Sequence, residues 1–206
     1  MSLTAFSQIN LELIYLISLD EGLTDMAIYY HHVGKEGADL DFTKTIFTKV
    51  NLSDIFRYTP PQNLIFKEKI HKPLIKACLD KTVHCWGVPS GAYYKINNLL
   101  IDDYVILIGH LDNPFLILSS VLSYHHQKLP QLSNFLWGTP KYPYIFFINS
   151  DWDFLNIPWE QLCRMLKYDL DYNPRGLFLN IASDAIRQYG GTAKFISDLK
   201  KFTIKK

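Results

Sequence analysis

Four short apolar runs, each closed off by turn residues, place the tightest limit on how this chain can fold. They are "TVHCWGV" (82–88), "DDYVILIGH" (102–110), "PFLILSSVLSY" (114–124) and "YPYIFFINS" (142–150). Each is too short for a buried helix and is rich in β-branched and aromatic residues, which is strand composition. Pro89, Gly91, Asn97, Asn98, Asp112, Asn113, Gly138 and Pro140 separate them. Short strands at this close spacing predict a small barrel or a curled sheet, with a bulge expected at the serines of the third run.

The segments on either side read differently. "AFSQINLELIYLISL" (5–19) sets Ile9, Leu13, Leu16 and Ile17 at helical spacing, and predicts an amphipathic helix ended by Gly22. "TDMAIYYHHVGKEG" (24–37) reads as a second short helix, capped by Thr24 or Asp25 and stopped by Gly34. Residues 41–56 fit helix or strand equally well, because β-branched residues are frequent there. "TPPQN" (59–63) is a breaker. These features predict a mostly helical N-terminal extension over 1–62 and a main β domain over 63–206. In the latter, a helix opens at Pro158 and further helices flank Gly190-Gly191.

Composition narrows the function only in part. The chain has 206 residues, enough for one large domain, or a medium one with an extension, and its 48% hydrophobic content supplies ample core. Lys and Arg number 21 against 20 acidic residues, so bulk charge neither demands nor excludes nucleic acid. Distribution matters more: Lys67, Lys69, Lys72, Lys76 and Lys81 face only Glu68 and Asp80, and the tail carries a second lysine cluster. Such runs read as solvated helix faces or as phosphate-contacting surfaces. The odd, irregularly spaced cysteines Cys78, Cys85 and Cys163 predict a reduced, cytoplasmic setting. No apolar run reaches the ~18 residues that span a bilayer, so no membrane association is expected.

The search for catalytic chemistry is thin. His31-His32 and His125-His126 are adjacent pairs, and neighbouring side chains on a helix or strand do not converge on one metal. There is no HExxH, no GxxxxGK[ST], no GxSxG and no GxGxxG. Asp102-Asp103 and Asp151/Asp153 are acidic pairs at strand ends, where solvated carboxylates are ordinary. No cofactor and no metal are expected.

One arrangement is distinctive. Trp86-Gly87-Val88-Pro89 is followed in order by "IDDYVILIG", "SSVLSY", "LSNFLWG", "YPYIFFI" and "NIPWEQL". Over residues 65–180 this order resembles the EVE and YTH branch of the PUA-like superfamily. Within it, the order is closest to the N-terminal specificity domains of McrB-type modification-dependent restriction systems. The chain departs from that pattern at Asp102, where a Gly is usual before the Asp.

The resemblance implies an α+β fold: a small PUA-like β-barrel flanked by helices, holding one flipped nucleobase. It implies a DNA partner carrying a modified base, a GTPase region elsewhere in a longer chain and a separate nuclease subunit. By position in the pattern, Trp86 is the first pocket wall and Trp137 the second. Tyr93, Tyr94, Tyr142 and Tyr144 complete the cage or pack beneath it, and Ser90 and Asp103 offer hydrogen bonds to the base edge. Lys67, Lys69, Lys72, Lys76, Lys95 and Lys141 would meet phosphate. A flipped base needs a flat apolar face and edge partners, and stacking supplies about 1–3 kcal/mol per base. The same aromatics would equally fill a barrel core. An RNA-binding reader, a nuclease using Asp102, Asp103 or the N-terminal acidic residues, and a plain interaction domain are the rival readings.

Overall fold

In a computed structural model the structure describes residues 26–33, 37–109, 116–170 and 179–204. The helix expected over 5–19 lies outside them. Eight strands form one sheet: β1 (Ile28–His32), β2 (Val50–Asn51), β3 (Thr82–Val88), β4 (Tyr104–Ile108), β5 (Leu116–Tyr124), β6 (Tyr144–Ile148), β7 (Asp153–Leu155) and β8 (Leu179–Asn180). Their order is β2-β3-β6-β5-β4-β1-β8, with β7 beside β5. β5 divides its free edge, giving Leu116–Leu118 to β7 and Val121–Tyr124 to β6. The register shifts between Val121 and Ser123, just past the serines where a bulge was expected. That irregularity lets one strand serve two neighbours and bends the sheet.

The sheet curls into the expected barrel. β3 and β1 are separated by β6, β5 and β4, a path of roughly 19 Å in a flat sheet. Yet the rings of Trp86 on β3 and His31 on β1 are 6.4 Å apart. Both faces are covered. Tyr29, Val105, Leu107, Ile117 and Val121 point into the interior, with all of β6 in the same cluster. Ile28, Tyr30, Ile106, Ile108, Leu116 and Leu118 point outward, under helices α6 (Trp159–Leu166), α7 (Ser183–Tyr189) and α8 (Thr192–Lys200). This two-sided burial explains why the strands read as nearly continuous apolar runs rather than as alternating ones.

One helix prediction fails. Residues 24–37 contain strand β1, parallel to β4 and antiparallel to β8. The ambiguous stretch 41–56 resolves into α1 (Phe42–Thr45), β2 and the start of α2 (Leu52–Tyr58). The first 62 residues therefore supply strands to the sheet as well as helices to its flank.

The lysine-rich run 64–77 is one helical stretch, α3, made of Leu64–Phe66, Lys67–His71 and Lys72–Ala77. Asn63 caps it, its side chain accepting from the Ile65 and Phe66 amides. Its middle turn is widened, with the Lys72 amide donating to the Lys67 carbonyl. Pro73 is the physical cause: it has no N–H for the Lys69 carbonyl. The freed carbonyl accepts instead from the Ser123 hydroxyl of β5. A proline thus ties the basic helix to the end of a core strand.

Candidate nucleic-acid interface

The antiparallel ladders bring the aromatics together in rows. Tyr124 pairs with Phe146, and Phe146 pairs with Trp86, so the three share one face across β5, β6 and β3. One step along, Tyr144 pairs with Val88 on the same face. After β3, Pro89 turns the chain into Ser90–Ala92 and the short helix α4 (Tyr93–Ile96), which lays Tyr93 on Tyr144 at 5.4 Å between centroids. Tyr94 meets Tyr93 edge-on, also at 5.4 Å, and is 86% exposed. Tyr93, Tyr94, Tyr124 and Tyr144 therefore gather where β3 ends and β6 begins.

The lysines around this end come from separate elements. Lys128, in the loop after β5, lies 6.0 Å from the Tyr144 ring centre. Lys95 follows Tyr94 on α4 and is exposed. Lys69 is exposed on α3, and its backbone is held to Ser123, next to Tyr124. Lys67 lies on the same turn, while Lys72 is engaged by Glu68 at 2.8 Å and Lys76 lies a turn further along α3. Lys141 is exposed beside Tyr142.

The tryptophans are buried about as fully as Tyr144 and Tyr124. Trp86 is 5% exposed and Trp137 6%. Trp86 packs edge-on against Phe42 at 4.7 Å and Trp137 at 6.0 Å. Trp137, the last residue of α5 (Pro130–Trp137), lies against Gly87, where a side chain would collide with it. The left-handed Gly138 then ends the helix. Both tryptophans are buried among other rings in this structure; the pattern made them pocket walls or core. Tyr142 is half-buried and edges Trp137 at 5.9 Å.

The two proposed edge-reading groups do not join them. Ser90 is exposed. Asp103 is buried at the far end of β6, where its backbone pairs with Val121, itself opposite Ile148. Its carboxylate oxygens accept from the Ala27 amide at 2.9 Å and the Leu100 amide at 2.8 Å, bracing β1 against the turn before β4. Burial raises its pKa against the lowering pull of these bonds. Asp102, where the resembling pattern has Gly, adopts φ +71°, the left-handed backbone that favours Gly. Among the described residues no cluster of His, Cys, Asp and Glu is arranged to hold a metal ion. No helix among them is long and apolar enough to cross a membrane.

Several buried polar atoms lack partners among the described residues: the Trp86 and Trp137 indole nitrogens, the Tyr124 hydroxyl, His125 Nε2 and Thr45 Oγ1. Burial, then the Tyr144 and Tyr93 hydroxyls, push the Tyr124 phenol up. Three cavities lie away from the tyrosines. One of about 230 Å³ opens between β1, α7 and α8, one of about 500 Å³ beside Phe56, Ile75 and Leu79, and one of about 380 Å³ along α5. Sequence reasoning missed Tyr124 and Lys128. Their only local signals were a Tyr closing a strand and a Lys in the polar loop after it.

No family model matches the chain, and no curated protein matches it. A solved structure does: the N-terminal domain of McrB from Thermococcus gammatolerans bound to m5C DNA, at 12% identity and TM-score 0.61. The match covers 84% of this chain and 98% of that one. At this identity the match shows the fold alone: the path of this chain follows that of the domain, a PUA-like fold.

Proposed function

We propose that this chain is a DNA-binding specificity domain, without catalysis of its own, that recognises a methylated base flipped out of the duplex. The observation that carries this reading is the tyrosine end of the sheet. Tyr94 is exposed there and Tyr93 half-buried, over the buried rings of Tyr124 and Tyr144, with Lys128 against the Tyr144 ring and Lys69 and Lys95 exposed on adjoining elements. An extruded base needs a face to stack on, and its phosphates need cations close by. A methyl group adds apolar surface that an aromatic site takes up by excluding water. Trp86 and Trp137 would support the platform from beneath. The shared fold with a domain solved on m5C DNA supports DNA as the ligand. In this reading the domain delivers a cytoplasmic McrB-like complex to its target, with a GTPase region in the full-length chain and a separate nuclease subunit.

The test is a binding panel at fixed salt: matched duplexes carrying no modification, 5-methylcytosine or 6-methyladenine, with a matched RNA. The expected result is at least a tenfold preference for one modified duplex. Equal affinity for all the DNAs would sink modified-base reading, and a preference for the RNA would move the chain to the RNA-reading class. Cleavage of DNA with magnesium that survives repurification would contradict the absence of catalysis.

A further inference from the structure

The sheet carries a row of aromatic side chains whose hydrogen-bonding groups point to a ligand. Tyr124, Phe146 and Trp86 are successive register partners across β5, β6 and β3. The two ends of the row, about 10 Å apart across two ladders, carry polar atoms, and the middle is a hydrocarbon ring. Tyr124 is 8% exposed, and among the described residues its hydroxyl has no partner. The indole nitrogen of Trp86, at the other end, has none either. A buried phenol normally finds a partner, since leaving the group unpaired costs about 1–3 kcal/mol. Such a group calls for an explanation, and a ligand that pairs with it is one.

Tyr124 lies where that ligand is expected. It shares its face with Tyr144, against which the Tyr93 ring lies tilted at 5.4 Å between centroids. Lys128, four residues on, reaches over Tyr144. Tyr93 is itself half-buried on the short helix α4, where its ring lies against Tyr144.

We propose that the Tyr124 hydroxyl is the specificity-determining group of this domain, donating a hydrogen bond to an acceptor atom on the edge of the flipped base. This rests on the modified-base reading above and names the group that does the reading. Trp86, in the same row, has an indole that can only donate. The Tyr124 phenol can donate or accept, and as a donor it matches a base edge that presents acceptors, such as a carbonyl oxygen or an unprotonated ring nitrogen. The methyl group of the modified base then faces the aromatic wall rather than the donors.

The experiment is Tyr124→Phe in the full chain, with two readouts. The first is thermal stability. Removing an unsatisfied buried hydroxyl leaves the ring packing intact, so the midpoint is expected to stay or rise. The second is affinity for the panel duplexes at fixed salt. Affinity for the preferred modified duplex is expected to fall about three- to tenfold, the effect of one lost hydrogen bond. Affinity for unmodified DNA and the salt dependence are expected to hold, because phosphate contacts are untouched. A variant that binds the preferred duplex as wild type does would overturn the role of Tyr124 and leave modified-base reading intact. A uniform loss on all duplexes, or a marked drop in midpoint, would make Tyr124 a structural residue. Wild-type protein without any preference would remove the reading itself, and this inference with it.

Discussion

Replacing Gly87 by alanine should damage this fold out of proportion to one added methyl group. A Cβ built at Gly87 lies 2.6 Å from Cζ3 and 2.7 Å from Cη2 of Trp137, and 2.9 Å from the Tyr142 carbonyl oxygen. All three distances are well inside van der Waals contact, and one involves backbone. The ring cannot retreat easily, because Trp86 meets it edge-on at 6.0 Å and Tyr142 at 5.9 Å. Gly87 is also paired with Ile145 in the middle of the β3–β6 ladder, so the strand itself is held. Overpacking of a close-packed core costs about 1–3 kcal/mol, and a clash with both ring and backbone belongs at the upper end. We expect Gly87→Ala to destabilise by about 2–3 kcal/mol. For a chain of this size that is roughly 5–10 °C in melting midpoint. Denaturant unfolding followed by tryptophan fluorescence measures it directly. The companion variant is Trp137→Phe, which deletes the ring atoms that cause the clash. In that background the alanine should cost at least about 1 kcal/mol less, a coupling that two residues in contact can show. Gly87→Ala within about 0.5 kcal/mol of wild type, or an equal cost in both backgrounds, would refute the wedged position of Trp137.

Two further outcomes are expected. Burial, and then the neighbouring His32, lower the His31 pKa to about 4, against about 6.5 in the unfolded chain. The fold therefore holds this group neutral while the unfolded chain takes up its proton. Its contribution is complete above pH 6.5 and is lost as the pH falls towards 4, about 2 kcal/mol between pH 6.5 and 4.5. Unfolding midpoints across that window check it, and a flat profile would contradict the buried, neutral state of His31. Lys69→Ala and Lys128→Ala should each flatten the slope of log affinity against log salt by about 1 and weaken all duplexes alike. Lys72→Ala should do less, because Glu68 already engages that lysine at 2.8 Å. Unchanged slopes for Lys69 and Lys128 would place DNA elsewhere on the surface.

Much of the barrel was legible because its strands carry local signals. "TVHCWGV" matches β3 end to end, since β-branched and aromatic residues between turns favour extended backbone. The register shift in β5 falls just past its serines, and the helices flanking Gly190-Gly191 end and begin at glycines with φ +111° and +94°. β1 was not legible. "IYYHH" is buried on nearly every side between β4 and β8, so it shows no alternation, and its neighbours mimic helix caps. Only pairing with residues more than seventy positions away makes it a strand.

The candidate site divides in the same way. The ordered succession of Trp-Gly, Leu-Trp-Gly and Tyr-Pro-Tyr motifs was enough to point to a PUA-like barrel and to an aromatic centre. Which aromatics are buried together and which, like Tyr94, are exposed depended on register and curl. Trp86 turns inward because β3 and β1 close on each other, where the rings of Trp86 and His31 come within 6.4 Å. Tyr124 joins Tyr93 and Tyr144 because β5 pairs with β6 at Phe146. Asp103 became a brace because both of its oxygens are taken by backbone amides, one of them seventy-six residues away. Residue chemistry is local and can be read along the chain. Which groups face one another is set by long-range strand pairing, and that is where the tertiary structure decided the site.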